Sequence, residues 1–185
     1  MEFVKEFATF LHEKAIIKFG DFTLSSGKKS QYYIDLRLVA SYPHEFRKMI
    51  KHLQNKISDE IGFENFHSLV SVPTGGLVVA SSLAIEIVKP LIYVRNKPKE
   101  HGTSKSIEGV VCQDMKLLLI DDVATTGDSI VNAIKIVKEV GMKITDAVVV
   151  VDRSDGDAID ALKAEGVKLH SLMDIKQIIN EIPKK

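Results

Sequence analysis

Leu117-Leu118-Leu119-Ile120-Asp121-Asp122-Val123-Ala124-Thr125-Thr126-Gly127-Asp128-Ser129 is the stretch on which the fold turns. Four consecutive apolar residues bounded by polar ones read as a buried strand. Two carboxylates emerge at its end, placed to accept hydrogen bonds from a sugar diol. The residues that follow are mostly small, hydroxylated or glycine, and they open a helix predicted over 128–140 and ended by Gly141. A helix start leaves about four backbone N–H groups unpaired and its dipole favours an anion. The hydroxyls of Thr125, Thr126 and Ser129 can add donors to a phosphate there, and Gly127 permits a close backbone approach. The bland alternative is a strand end followed by an N-cap, with Asp128 or Thr126 capping and both acids solvated. A Walker-B role for the acid pair requires a GxxxxGK[ST] loop, which the sequence lacks, and there is no GxGxxG fingerprint.

Outward from this stretch the same alternation repeats. Upstream, a strand over 68–72 meets Pro73-Thr74-Gly75-Gly76 and a helix to residue 88; Pro90 precedes a strand over 91–95. Downstream come a strand over 145–151, a helix over 157–165 ended by Gly166, a strand over 167–172, and a closing helix over 174–180 before Pro183. The amino-terminal third opens with an amphipathic helix carrying Phe3, Phe7, Phe10 and Leu11 on one face. A strand over 30–36 follows, then a helix from Pro43 with Phe46, Ile50, Leu53, Ile57 and Ile61 as its apolar stripe. Residues 96–109 are polar and read as an exposed loop or hairpin. Apolar strands alternating with helices imply an α/β fold, a parallel sheet covered on both faces, in one domain over 1–185. Ligands of such sheets sit at the carboxyl ends of the strands.

Composition removes several function classes. The chain has 185 residues, 45% hydrophobic and 27% charged, with Lys plus Arg (25) equal to Asp plus Glu (25). That balance provides no overall field for nucleic acid or an anionic membrane. Cys112 stands alone, which excludes an internal disulfide or a cysteine zinc cage and favours a reducing compartment. No signal-peptide core or run of ~18 apolar residues is present, so a soluble cytoplasmic protein is expected. His12, His44, His52 and His67 lack metal-ligand spacing, and His170, Met115, Met142 and Met173 read as packing residues.

Residues 120–127 resemble the phosphoribosyl-pyrophosphate (PRPP) signature of type I phosphoribosyltransferases. The resemblance implies a parallel sheet flanked by helices, with a small N-terminal hood and a mobile catalytic loop. It implies that Asp121 and Asp122 hold the ribose hydroxyls, Asp122 also counting among the catalytic residues. Val123, Ala124, Thr125, Thr126, Gly127, Asp128 and Ser129 would surround the 5′-phosphate. Three further segments point within that family. Phe19-Gly20-Asp21-Phe22-Thr23-Leu24-Ser25-Ser26-Gly27-Lys28-Lys29-Ser30-Gln31-Tyr32-Tyr33-Ile34-Asp35 is similar to the amino-terminal motif of orotate phosphoribosyltransferases. Its turn could offer amides and its tyrosines an apolar wall to a flat pyrimidine, the alternative being a surface hairpin with Lys28 and Lys29 solvated.

Tyr93-Val94-Arg95-Asn96-Lys97-Pro98-Lys99-Glu100-His101-Gly102 concentrates basic residues suited to a departing pyrophosphate, with Gly102 and residues 103–106 allowing the loop to close. Val151-Asp152-Arg153 puts a guanidinium after a buried strand, otherwise read as paired with Asp152 or Asp155. By resemblance, PRPP would meet Arg95, Lys97, Lys99 and His101, with Lys99 and His101 catalytic. Orotate would meet Thr125, Arg153, Lys28 and Tyr33. Mg²⁺ would bridge substrate oxygens without a firm protein ligand, and the basic loop would serve a neighbouring subunit's site in a homodimer. The chain departs from the family at Ser25, where many members carry Lys, at Pro73-Thr74-Gly75-Gly76, where some carry Lys, and at Asn96, where Lys97 stands next in line. Two alternatives keep the fold: a purine phosphoribosyltransferase, and a ligand-sensing transcriptional regulator. The second is disfavoured by the zero net charge and by a chain that opens on the enzyme-like helix.

Overall fold

The computed structural model of the chain describes residues 2–23, 27, 29–95 and 106–182. Helix α1 (Glu2–Glu13) buries Phe7, Ala8 and Leu11 on one face. Strands β1 (Ile17–Thr23) and β2 (Lys29–Ile34) pair antiparallel as a separate small sheet, the hood expected at this end. The strand expected over 30–36 stops at Ile34. Asp35 turns the chain instead, its carboxylate accepting the Arg37 N–H to cap a 3-10 helix over Leu36–Ser41. Helix α2 (Pro43–Glu60) starts with proline at its first turn and buries Met49, Ile50, Leu53 and Ile57.

After a 3-10 turn over Phe63–Asn65 come the strands of the main sheet and their helices: β3 (Ser68–Ser71), α3 (Gly75–Glu86), β4 (Leu91–Val94), β5 (Ile107–Glu108), β6 (Lys116–Ala124), α4 (Asp128–Glu139), β7 (Lys143–Asp152), α5 (Asp157–Ala164), β8 (Lys168–Asp174) and α6 (Ile175–Glu181). Strand order is β5-β4-β3-β6-β7-β8, parallel throughout except for the short edge strand β5. Its antiparallel pairing with β4 makes the flanks of the basic segment a hairpin.

Helix α4 shows why the pattern was readable: Ile130, Ala133, Ile134 and Val137 recur at the spacing of one helical face, and all are buried. On β6, Leu118 and Ile120 join a core with α1, α2, α3 and α6, whereas Leu117 and Leu119 join one with α4 and α5. His170 does more than pack. Its ring nitrogens lie 2.8 Å from Glu60 Oε2 and 2.8 Å from Asp146 Oδ1, tying the end of α2 to β7 and β8.

The chain reverses its direction of travel across the sheet between β3 and β6: β4 lies to one side of this pair, β7 and β8 to the other. Loops leaving the two central strands therefore diverge and open a crevice at their carboxyl ends. Among the described residues, no helix is long and apolar enough to cross a membrane.

Candidate active site

A cavity of about 540 Å³ occupies that crevice. Its floor is the end of β6 with Asp121, Asp122 and Val123; one wall is the β3–α3 connection, residues 72–74, with Gly75 at the start of α3. The hood and the 3-10 helix supply Thr23, Tyr33, Asp35 and Arg37, and Thr125, Ser129 and Arg153 close the remaining side.

The acid pair sits deeper than the sequence suggests. The strand was expected over 117–121, ending at its first acid; β6 continues through Ala124 because β7 offers ladder partners as far as Asp152, so Asp122 too lies within it. Asp121 is buried, and its Oδ1 accepts the Asp122 N–H at 2.9 Å. Burial first, then the like charge of Asp122, pushes the Asp121 carboxyl well above the usual carboxylate range. Both acids press on the first turn of α3: a Cβ on Gly75 would overlap the Asp122 carboxylate, and one on Gly76 the Asp121 carboxylate. The two glycines belong to the helix itself and are buried, where a loop preceding the helix was expected.

Beyond β6, Gly127 adopts a left-handed conformation (φ 85°) and forms the N-cap of α4, with no side-chain capping bond. The bland alternative, with Thr126 or Asp128 as the cap, is therefore not the one adopted. Thr126 Oγ1 donates to Asp128 Oδ2 at 2.7 Å, so of the three expected hydroxyls only Thr125 and Ser129 reach the cavity wall. Ala124 is buried, and its carbonyl accepts the Arg153 N–H.

Arg153 is the buried cation of the site. It is 8% exposed, lies with its guanidinium carbon 4.7 Å from the centre of the Tyr32 ring, and donates from Nη2 to Ser30 Oγ at 3.1 Å. Its Nε, fully buried, has no hydrogen-bond partner among the described residues. Burial raises the Tyr32 phenol against the pull of Arg153. The hood and the carboxyl end of β7 are thereby clamped together.

The site unites an acid pair whose first member is buried, a glycine-capped helix start and a buried guanidinium in one crevice. Residues 42–181 match the phosphoribosyl transferase domain. The chain belongs to the phosphoribosyltransferase family. It is 50% identical to an orotate phosphoribosyltransferase of Cenarchaeum symbiosum over 98% of this chain and 90% of that protein. Identity to an orotate phosphoribosyltransferase of Pyrococcus furiosus is 40%, over 94% of each. The crystal structure of orotate phosphoribosyltransferase from Aeropyrum pernix superposes with a TM-score of 0.83 at 34% identity, covering 94% of this chain and 96% of that one.

Of the residues singled out from sequence, this phosphoribosyltransferase brings Tyr33, Asp121, Asp122, Val123, Thr125, Ser129 and Arg153 around one cavity. Arg95 is not among the lining residues; it pairs with Glu108 at 2.8 Å at the far edge of the sheet. Lys28, Lys97, Lys99 and His101 lie outside the described residues. Sequence reading missed Arg37. Its Nε and Nη2 donate to Asp35 Oδ1 and Oδ2 at 2.6 and 2.8 Å, and this pairing holds the Asp35 carboxyl below its usual range. The available signal was opposite charge at positions two apart where a strand ends.

Proposed function

We infer that this phosphoribosyltransferase acts on orotate, transferring the phosphoribosyl group from PRPP to give orotidine 5′-monophosphate and pyrophosphate in pyrimidine biosynthesis. The observation that carries the reading is Arg153, a buried guanidinium whose Nε has no partner among the described residues, at the wall of a cavity floored by two acids. A buried N–H left without a partner is costly, and a planar carboxylate is the natural complement of a guanidinium edge. Orotate carries a carboxylate; the common purine bases carry none.

Chemically, the bond from the anomeric carbon to pyrophosphate oxygen breaks, its electron pair leaving with the oxygen, as a ring nitrogen of orotate bonds to that carbon and gives up its proton to solvent. Positive charge develops on the ribose and negative charge on the leaving group. The Asp121 and Asp122 carboxylates would receive the ribose hydroxyls, and the turn at 125–129 the 5′-phosphate, at the positive end of α4. Tyr33 would flank the base. Lys28 and the basic segment with Lys97, Lys99 and His101 keep the roles read from sequence, Lys99 or His101 protonating the departing pyrophosphate. Among the described residues, no group of three or more His, Cys, Asp or Glu could hold a metal. Mg²⁺ would be carried on substrate oxygens, in a cavity whose floor presents the Asp121 and Asp122 carboxylates. Bound there, the ion would neutralise diphosphate charge. A cytoplasmic homodimer sharing its basic loops between sites completes the proposal.

The test is a panel of orotate, uracil, adenine, guanine and hypoxanthine with PRPP and Mg²⁺, following pyrophosphate release. Orotate alone should be consumed, and activity should vanish with a chelator and return with Mg²⁺. A purine as the accepted base, or salt-sensitive DNA retention without turnover, would overturn the reading. Replacing Lys99 with Ala should lower turnover by orders of magnitude with an unchanged circular dichroism spectrum.

A further inference from the structure

The inferred donor PRPP is anionic at both ends: a monophosphate on one carbon and a diphosphate on the anomeric carbon. The turn at 125–129 provides for the first. For the second, the β3–α3 connection borders the crevice on the opposite flank of β6 from Arg153, yet Pro73-Thr74-Gly75-Gly76 contains no basic residue. The cavity also presents three carboxylates, Asp35, Asp121 and Asp122, each repelling a polyanion. Among the described residues, two cations line it: Arg153 on the β7 side and Arg37.

Arg37 belongs to the other side. The 3-10 helix that carries it packs against α3 and β6, and the Asp122 carboxylate, which stands against Gly75, faces that junction. Asp35 engages Nε and Nη2, two of the five N–H donors of a guanidinium, and fixes the plane of the fork. The remaining edge, including both N–H bonds of Nη1, faces away from Asp35, and the side chain is 54% exposed. The fork is thus held in place before a ligand arrives and still has donors to give.

We propose that Arg37 binds the diphosphate of the sugar donor, with Asp35 as its positioning residue. The proposal rests on the reading of the site as a PRPP site. It replaces, with a residue from the hood-side 3-10 helix, the positive charge that the β3–α3 connection lacks.

Two measurements test it on Arg37→Met and Arg37→Lys in the full chain. In steady-state kinetics, Arg37→Met should raise KM for PRPP and the inhibition constant of inorganic pyrophosphate by about ten- to a hundredfold, the range of a charge-assisted contact. KM for orotate should stay within about twofold, and Arg37→Lys should recover part of the loss. Separately, titration calorimetry of magnesium pyrophosphate into wild type and Arg37→Met should show the same weakening. Unchanged PRPP and pyrophosphate constants, or an orotate KM rising in step with them, overturns the proposal. If wild type fails to turn over orotate with PRPP, the functional reading falls, and the calorimetric comparison still decides for or against Arg37.

Discussion

Asp121 is 7% exposed and shares its strand end with a second carboxylate, so its neighbours oppose its ionisation twice over. The sign of the consequence follows from proton counting. Its folded-state pKa lies above the unfolded one, so between the two values the folded chain holds a proton that the unfolded chain releases. Stability is then fully present below the ordinary carboxylate range and declines as pH rises through the elevated value. Asp121→Asn removes this dependence while its amide oxygen can still accept the Asp122 N–H. The ligand-free variant should melt higher than wild type at neutral pH, with a flatter dependence of Tm on pH above about pH 4, and turnover should fall by orders of magnitude. Parallel Tm–pH curves for the two proteins would show that the acid pair is not strained by its own charge. Asp35 carries the opposite sign. Arg37 depresses its pKa, so its contribution is present above the ordinary carboxylate range and is lost as pH falls through the lowered value.

The junction of α3 with β6 depends on having no side chains at Gly75 and Gly76. In an unobstructed helix, Gly→Ala stabilises by roughly 0.5–1 kcal/mol. At Gly76 the added Cβ would meet the Asp121 Cα and Ser71 Oγ, each at 2.9 Å, as well as the Asp121 carboxylate. Ser71 Oγ cannot yield easily, because it donates to the Ile120 carbonyl at 2.8 Å. Overpacking of this kind costs about 1–3 kcal/mol, so the steric term should exceed the helix term. Urea unfolding of Gly76→Ala should therefore show a net loss of stability, accompanied by loss of turnover; a gain would mean that α3 can slide off β6 without penalty. This junction also marks where sequence reading stops. The buried strands and the apolar face of α4 were legible because burial imposes its period on the residues. The mostly exposed β1 had no such period to show. β6 was read as ending at its first acid, since nothing in a single strand reveals that a neighbour will extend the ladder to Ala124. Of the residues that line the cavity, Asp121, Asp122, Thr125, Ser129 and Arg153 could be singled out because their chemistry accompanies a strand end or a turn, and Tyr33 because it lies in the amino-terminal motif. Arg37 acquires meaning only when the 3-10 helix is seen packed against α3 and β6.

Across the whole molecule, β6 couples the two faces of the sheet. Leu118 and Leu119 are adjacent in sequence and both essentially unexposed, yet they belong to different hydrophobic clusters. Since the strand between them cannot keep one face ordered while the other dissolves, neither cluster can melt alone without releasing β6. The crevice sits at the end of that same strand, so its geometry persists only while both layers are packed. Leu118→Ala and Leu119→Ala should each lower stability by about 2–5 kcal/mol, the usual range for a fully buried leucine. Each should do so in one transition, with far-ultraviolet circular dichroism and tyrosine fluorescence superimposing along the denaturant axis. The chain contains no tryptophan, so one inserted at Val140 on the exposed end of α4 can report its face separately. If that probe moved ahead of the dichroism signal in Leu119→Ala but not in Leu118→Ala, the layers would be separable. With coupling through β6, both variants should lose PRPP binding and secondary structure at the same denaturant concentration.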